Sequence, residues 1–365
     1  MKKNITFQAP HIPDSDQRQQ LLYQWAQTQV IRLLEQTALA DPIELIWSMV
    51  SGDASFRRYF RLSHSQKSWI LVDAPPEHEN NPQFVTVANM LQKLNAPRVL
   101  AYDFEQGLML LSDLGDQLYL PLLNADSADS LYQAAIDSLV EMQNIDQAEQ
   151  LPAYDSALLN LEMELFRDWF LGRHLQYQLS EQEHALLDQT FAILTQNAIE
   201  QPQVFVHRDY HSRNIMFVED EHGIAQTPGI IDFQDAVYGP ISYDLLSLLR
   251  DCYIKWPAQK VQQWVDYFIE ESPHQLEKSQ FNQWFDYMGL QRHIKVAGIF
   301  ARLYYRDGKA GYLKDIPLTL TYILEQARDY PELHEFYTWM TQTIMPRFEQ
   351  IAQQNTQQST NSGSH

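Results

Sequence analysis

The stretch that decides the fold reads Val204-Phe205-Val206-His207-Arg208-Asp209-Tyr210-His211-Ser212-Arg213-Asn214-Ile215-Met216-Phe217, and residues 229–233 add Gly-Ile-Ile-Asp-Phe. An apolar run ends at His-Arg-Asp, and an asparagine follows five residues after that aspartate. Residues 219–223, Glu-Asp-Glu-His-Gly, have the composition of a hairpin turn. We therefore predict that the apolar runs on either side of this turn pair as a hairpin, which brings the asparagine close to the second aspartate.

These residue types and this spacing suit phosphoryl transfer. His-Arg-Asp followed by Asn five residues after the Asp is the spacing of a kinase catalytic loop. In this chemistry a protein mainly positions groups and balances charge, so Asp209 would orient a hydroxyl and accept its proton. Asn214 and Asp232 offer the oxygen ligands that Mg²⁺ prefers. His207 is predicted to brace the backbone of the loop. The alternative interpretation of the whole motif is a charged surface loop with a buried structural aspartate.

The two motifs resemble those of the aminoglycoside phosphotransferase and choline-kinase branch of the protein-kinase-like fold. Within that branch the chain most resembles the bacterial anomeric kinases of cell-wall recycling, over roughly residues 20–345. The blocks that carry this closer resemblance are residues 51–61, 71–77, 111–116, 238–244 and 300–309. The resemblance implies an α+β, two-lobed fold with a small antiparallel-sheet N-lobe and a mainly helical C-lobe. The expected N-lobe spans residues 1–113 with a leading helix at about 17–38, the C-lobe spans 114–353, and 354–365 would be a disordered tail.

The resemblance also implies a reaction and the roles of individual residues. ATP, with Mg²⁺, would phosphorylate the anomeric 1-hydroxyl of N-acetylmuramate or N-acetylglucosamine in peptidoglycan recycling. Asp209 would be the base, Asn214 and Asp232 would be the magnesium ligands, and Asp244 would brace the loop or serve only as a helix-start acid. The implied nucleotide-binding residues lie in a phosphate flap at 51–59 and in an adenine hinge at 110–114: Gly52, Asp53, Ala54, Ser55, Leu111 and Asp113.

The lysine and glutamate that hold the phosphates in protein kinases are missing from their expected positions. Residues 68–73 contain no lysine, and the predicted helix 83–94 contains no glutamate. Another cation must therefore meet the phosphates, and Arg57, Arg58 and Arg61 lie on the neighbouring predicted strand. Strand alternation puts Arg58 on the face opposite to the other two. We predict that Arg58 is this cation, and the alternative is a solvated surface arginine.

Late helices supply candidate groups for the acceptor. N-acetylmuramate carries a lactyl carboxylate, which a nearby cation would bind. Arg292, Arg302 and Tyr305 are the predicted substrate-binding residues, although an ion pair with the acidic surface is the alternative for Arg302. An aminoglycoside or choline-type kinase is a rival reading, and an inactive pseudokinase acting as a binding module is another.

Composition limits the other classes of function. The 365 residues include 26 Lys plus Arg and 47 Asp plus Glu, which gives a net charge of −21 and argues against a nucleic-acid binder. A single cysteine, Cys252, leaves no internal disulfide framework. The sequence contains no uninterrupted run of 18 apolar residues, so it predicts no membrane-spanning helix. The first residues also lack the apolar run of a secretory signal. We therefore expect a cytoplasmic protein with no nucleic-acid or membrane partner. The resemblance implies a small-molecule amino sugar as its partner, and we expect a monomer.

Overall fold

The computed structural model describes residues 5–8, 12–13, 15–35, 43–52, 56–64, 67–219, 223–225 and 227–362, without the side chains of 51, 52 and 355–362. The chain forms two compact units. Unit 1 comprises Met1–Leu118 and Ile215–Asp235, and unit 2 comprises Tyr119–Asn214 and Ala236–His365. The segment 215–235, which contains the hairpin expected after the catalytic loop, is thus grouped with the N-terminal part of the chain.

Unit 1 is built on a six-stranded sheet. Its strands are β1 Ile5–Gln8, β2 Ile43–Gly52, β3 Arg58–His64, β4 Lys67–Asp73, β5 Val99–Asp103 and β6 Leu108–Ser112. They are ordered β1-β2-β3-β4-β6-β5, and all neighbours are antiparallel except β1 and β2. Two helices accompany the sheet, α1 Gln17–Glu35 and α2 Asn81–Met90. The helix predicted at 83–94 is present as α2, with shifted ends.

Helix α1 covers one face of this sheet. Its buried residues, Leu22, Ala26, Val30 and Leu34, recur at every fourth position, so they form one stripe along the helix. The stripe packs against Phe60 and Leu62 of β3 and against apolar residues of β2, β4 and β6. The helix was expected to reach about Ala38; it is described as far as Glu35, and residues 36–42 lie outside the described part of the chain.

The short hairpin expected after the catalytic loop is present in unit 1. Strands β8 Ile215–Met216 and β9 Gly229–Ile230 pair antiparallel, with Ile215 opposite Ile230. Of the predicted turn, residues 220–222 are outside the described residues. Phe233, which follows Asp232, packs its ring on Phe84 of α2 at a centroid distance of 4.9 Å.

Unit 2 is mainly helical. Its helices are α3 Tyr119–Leu122, α4 Ala128–Gln143, α5 Ser156–Leu165, α6 Glu181–Glu200, α7 Tyr243–Leu249, α8 Ala258–Glu271, α9 Lys278–Asp307, α10 Ile316–Ala327, α11 His334–Trp339 and α12 Met345–Ser362. Two π-helical segments, Phe166–His174 and Met340–Ile344, continue α5 and α11. The only β structure longer than a bridge in the described part of this unit is the antiparallel pair β7 Gln203–Val206 and β10 Val237–Pro240.

Helix α9 crosses the junction of α5 and its π segment at very short range. A Cβ atom on Gly298 would lie 2.3 Å from the carbonyl carbon of Leu165 and 2.5 Å from the backbone nitrogen of Phe166. Only glycine therefore fits at this crossing. The close approach fixes α9, the helix that carries the predicted acceptor-side residues, against α5.

The end of the chain differs from its expectation. Residues 354–365, rich in Gln, Ser, Thr and Asn, were expected to be disordered, but α12 continues to Ser362. Glutamine is a fair helix former, and an existing helix extends more easily than a new one starts. None of the helices in the described residues is both long and apolar enough to cross a membrane.

Candidate active site

The loop from His207 to Asn214 follows β7, and two buried carboxylates hold its backbone. Asp244 in the first turn of α7 accepts the backbone N–H of His207 at 2.6 Å and that of Arg208 at 3.0 Å. Asp251, just after α7, accepts the backbone N–H of Ser212 at 3.0 Å and also the Ser212 hydroxyl. The loop is thus fixed at both ends by the same short segment. Asp244 was predicted from the resemblance, whereas Asp251 was missed.

The backbone of this loop is strained where it turns. Arg208 has a φ of +76°, in the left-handed region that a side chain other than glycine rarely adopts. Asp232 has a φ of +65°. Such conformations persist where surrounding contacts hold them, and they cluster at functional sites. His207 is completely buried, and its Nδ1 atom accepts the backbone N–H of Asp209 at 3.3 Å.

Asp209 presents its carboxylate at the apex of this loop. The carboxylate forms no hydrogen bond or ion pair with other residues in the described part of the chain, so it can accept a hydrogen bond from a hydroxyl group of a ligand. Burial acts to raise the pKa of Asp209, but electrostatic interactions, above all with Lys295 and also with His211, Arg208 and Arg292, outweigh it and hold the pKa below the usual value. Asp209 is therefore ionised at neutral pH, as an acceptor of a hydroxyl proton must be.

A buried cluster of charged side chains contacts the loop at Arg208. Glu162 of α5 binds Arg208 and accepts the Tyr154 hydroxyl, and it pairs with Lys295 of α9 at 2.9 Å. Lys295 also donates to the Tyr243 hydroxyl at 3.1 Å. This network balances two cations against Glu162, and it lies close enough to Asp209 to lower its pKa. Sequence reasoning missed Glu162 and Lys295, although Lys295 shares a predicted face of α9 with Arg292 and Arg302.

The two predicted magnesium ligands belong to different units. In unit 2, Asn214 donates its amide nitrogen to the backbone oxygen of Asp209 at 3.1 Å, so the amide oxygen is the atom able to bind a cation. In unit 1, one carboxylate oxygen of Asp232 accepts the Gln234 amide N–H at 2.8 Å. An amide oxygen and a carboxylate are hard oxygen ligands, and these residues fit the chemistry of Mg²⁺.

On the nucleotide side, the predicted flap is described only in part. Gly52 is the last residue of β2, and Asp53, Ala54 and Ser55 lie outside the described residues. In the predicted hinge, Leu111 is buried in β6. The Asp113 carboxylate is bound by Arg61 at 2.5 Å.

Arg58, predicted to meet the phosphates, is engaged elsewhere. Its guanidinium binds Asp16 at 2.5 Å and Asp73 at 2.6 Å. Hydrogen bonding to Asp16 and the charges of both carboxylates raise its pKa despite partial burial. Arg58 shares its sheet face with Phe60 and Leu62, the residues that pack against α1. Its geometry is that of a link between α1 and the sheet.

The acceptor-side candidates all lie on α9. Arg292 is 4% exposed, and its single polar contact within the described residues is with the sulfur of Cys252 at 3.6 Å. Arg302 is half-buried and forms no ion pair or hydrogen bond in the part of the chain that the structure describes. Tyr305 is exposed, and its hydroxyl lies 3.3 Å from Nδ1 of His174. The ion pair with surface acids that was the alternative for Arg302 is therefore not formed among the described residues.

Comparison with known proteins identifies the family of this chain. The chain belongs to the phosphotransferase enzyme family, whose profile matches residues 47–277. It is 40% identical over 331 residues to an N-acetylmuramate/N-acetylglucosamine kinase of Pseudomonas putida. This alignment covers 89% of this chain and 96% of that protein. A Pseudomonas aeruginosa protein of the same name is 43% identical over 301 residues, covering 80% of this chain and 87% of that protein.

Solved structures share the fold at low sequence identity. An ethanolamine kinase of Plasmodium vivax superposes with a TM-score of 0.60 at 11% identity, covering 90% of this chain and 97% of that one. The predicted family and the predicted kinase-like α+β class are therefore confirmed.

Proposed function

We propose that this protein is an ATP-dependent sugar kinase that phosphorylates the anomeric hydroxyl of N-acetylmuramate and N-acetylglucosamine, as a step of peptidoglycan recycling. The observation that carries the proposal is the Asp209 carboxylate, ionised and presented on a loop whose backbone two buried aspartates hold. The relatives that this chain covers almost completely are named for these two sugars. The names of these relatives and the geometry of the Asp209 loop both support phosphoryl transfer to a hydroxyl group.

In this reaction Asp209 orients the sugar hydroxyl and accepts its proton as the bond to phosphorus forms. The low pKa of Asp209 makes proton uptake late, which fits a loose transition state in which the attacking oxygen is little changed. Asp244, Asp251 and the Asn214 amide position the loop and thereby hold the carboxylate in place. Preorganisation of this kind removes the entropic cost of aligning the reactants.

Asn214 and Asp232 would hold Mg²⁺, which when bound neutralises charge on the nucleotide phosphates. Asn214 directly precedes β8, and Asp232 comes two residues after β9. Because Ile215 is opposite Ile230, the start of β8 and the end of β9 lie at the same end of the hairpin.

Arg292, Arg302 and Tyr305 would bind the acceptor sugar. A guanidinium without a carboxylate partner among the described residues is suited to the lactyl carboxylate of N-acetylmuramate, and Arg302 is the more accessible of the two arginines. Arginines on this helix also disfavour polycationic aminoglycosides and choline. A cytoplasmic location and a monomeric state stay predictions.

The test is an ATP-consumption assay with a panel of N-acetylmuramate, N-acetylglucosamine, kanamycin and choline, with the phosphorylated position read by phosphorus NMR. We expect turnover with the two amino sugars and a 1-phosphate product. Phosphorylation of kanamycin or choline in preference would support the rival kinases, and no turnover with any acceptor would support a pseudokinase.

Asp209→Asn is the matched variant for this assay. It keeps the shape of the side chain but removes the proton acceptor, so turnover should fall by about 10² to 10⁴ while ATP affinity changes little. Turnover within tenfold of the parent would exclude Asp209 as the base.

A further inference from the structure

The lysine and glutamate expected on β4 and α2 are missing, yet unit 1 contains a buried pair of the same charges. Arg57 Nη2 lies 2.9 Å from an oxygen of Glu79, and their side chains are 4% and 10% exposed. Lys67, the lysine at the start of β4, is exposed and opposite His64, at the end of the strand remote from Asp73. We propose that Arg57, positioned by Glu79, is the cation that meets the nucleotide phosphates. This inference rests on the proposed function.

The pair is placed where the predicted phosphate flap ends. Arg57 comes two residues after Ser55, the last residue of the flap's small-residue stretch, and it directly precedes β3. Glu79 accepts the backbone N–H of Phe56 at 3.2 Å as well as the Arg57 guanidinium. The Phe56 ring stacks on His78 at 4.2 Å. The segment 78–79 therefore holds both the backbone and the cation at the exit of the flap.

Packing within unit 1 links this pair to the predicted metal ligand. The Arg57 guanidinium lies over the ring of Phe84 at 5.5 Å. The Phe84 ring in turn packs on Phe233 at 4.9 Å, and Phe233 follows Asp232 in the chain. Two ring contacts within unit 1 thus connect the Arg57 guanidinium to the residue that follows Asp232, the proposed magnesium ligand.

The two neighbouring arginines are less suited to this task. Arg58 lies on the α1 face of the sheet, between Asp16 and Asp73. Arg61 is bound by both Asp113 and Asp116 at 2.5 Å, so the local charge there is negative and repels phosphate. The Arg57 guanidinium pairs with Glu79 and carries five donors in a planar fork. A guanidinium that donates to a carboxylate with one edge can donate to a phosphate with another, in the role that a lysine held by a glutamate has in kinases.

The test compares the affinity of the full chain for Mg·ATP and for adenosine, measured by calorimetry without any sugar. Arg57→Met removes the charge, so we expect at least a tenfold loss of ATP affinity and an adenosine affinity within twofold of the parent. Glu79→Gln should show the same pattern with a smaller loss, because Arg57 keeps its charge but loses its position. Arg57→Lys should recover part of the ATP affinity. The matched control is Arg32→Met, an exposed arginine in the last turn of α1, which should leave both affinities unchanged.

Several outcomes would overturn the inference. Unchanged ATP affinity in Arg57→Met, or an equal loss for ATP and adenosine, would show that the pair has only a structural role. If Arg57→Met does not fold, the ratio of the two affinities in Glu79→Gln decides in the same way. Failure of the parent protein to bind ATP would instead contradict the proposed function, so the two failures are distinguishable.

Discussion

At the scale of single residues, two aspartates close to one loop have opposite electrostatic environments. Burial raises the pKa of Asp244 to about 7, although the backbone N–H groups of His207 and Arg208 act to lower it. The pKa of Asp209 is lowered, because Lys295 and its neighbouring cations outweigh burial. The two side chains are chemically the same, so their different roles follow from their environments: Asp244 holds the loop backbone, and Asp209 is the proposed proton acceptor.

The raised pKa of Asp244 predicts a pH-dependent stability. The folded chain keeps the Asp244 proton up to about pH 7, whereas the unfolded chain releases it near the ordinary value of 3.8. Between these values the folded state binds more protons, so this group's contribution to the free energy of unfolding is largest below about pH 4 and is lost as the pH rises to about 7. Asp244→Asn should remove this loss, which we expect to be a few kcal/mol. The measurement is denaturant unfolding of both proteins from pH 5 to 8, and parallel pH profiles would contradict it.

At the scale of elements, the crossing of α9 and α5 depends on Gly298. An added methyl group would overlap backbone atoms of Leu165 and Phe166, which have no flexible side chain to move aside. Gly298→Ala should therefore lower the free energy of unfolding by roughly 1 to 3 kcal/mol. Gly311→Ala is the control, since nothing lies within 4 Å of an added Cβ there. Thermal unfolding of both variants checks this, and equal melting temperatures would argue against a tight crossing.

Helix α9 also carries the predicted selectivity for the acceptor. If Arg302 binds the lactyl carboxylate, Arg302→Met should lower kcat/KM for N-acetylmuramate about tenfold or more, as expected for the loss of a charge-assisted hydrogen bond. N-acetylglucosamine lacks this carboxylate, so its kcat/KM should change by less than threefold. Steady-state kinetics of the variant with both sugars is the measurement, and N-acetylglucosamine serves as the control substrate. A similar loss for both would place Arg302 outside the carboxylate contact.

The sequence predicted elements better than contacts. Helices α1 and α2 and the hairpin of β8 and β9 were predicted from the sequence, and the motif spacing marked Asp209, Asn214 and Asp232. Periodicity does not reveal which distant residues meet, so Glu162 with Lys295 and Asp251 with Ser212 were missed. Strand alternation placed Arg57 and Arg58 on opposite faces, but it did not show that the Arg58 face is covered by α1. That fact comes from packing at long sequence separation.

At the scale of the whole molecule, nucleotide binding should stabilise the chain. A ligand that binds only the folded state at about 100 times its Kd adds roughly 2.7 kcal/mol, which for a chain of this size corresponds to a melting temperature higher by a few degrees. We expect this shift with ATP and Mg²⁺, and a smaller one when EDTA removes the metal. Asp232→Ala should abolish the difference between the two conditions. A metal-dependent shift that persists in this variant would count against Asp232 as a ligand.

The net charge of −21 gives no guide to the charge around Asp209. Lys295, Arg208 and Arg292 all act on this carboxylate, although acids outnumber bases by 21 in the whole chain. Field effects of the total charge concern association and solubility, whereas proton transfer depends on the few groups within several ångströms.

The two aspartates that hold the catalytic loop are seven residues apart: Asp244 lies in the first turn of α7, and Asp251 comes two residues after α7 ends at Leu249. Insertion or deletion of one residue within α7 would turn the chain after it by about 100° around the helix axis and move Asp251 relative to Asp244. Over evolutionary time this segment should therefore accept changes of residue type but almost no change of length, and an engineered graft of the loop into another scaffold would have to carry residues 243–251 with it.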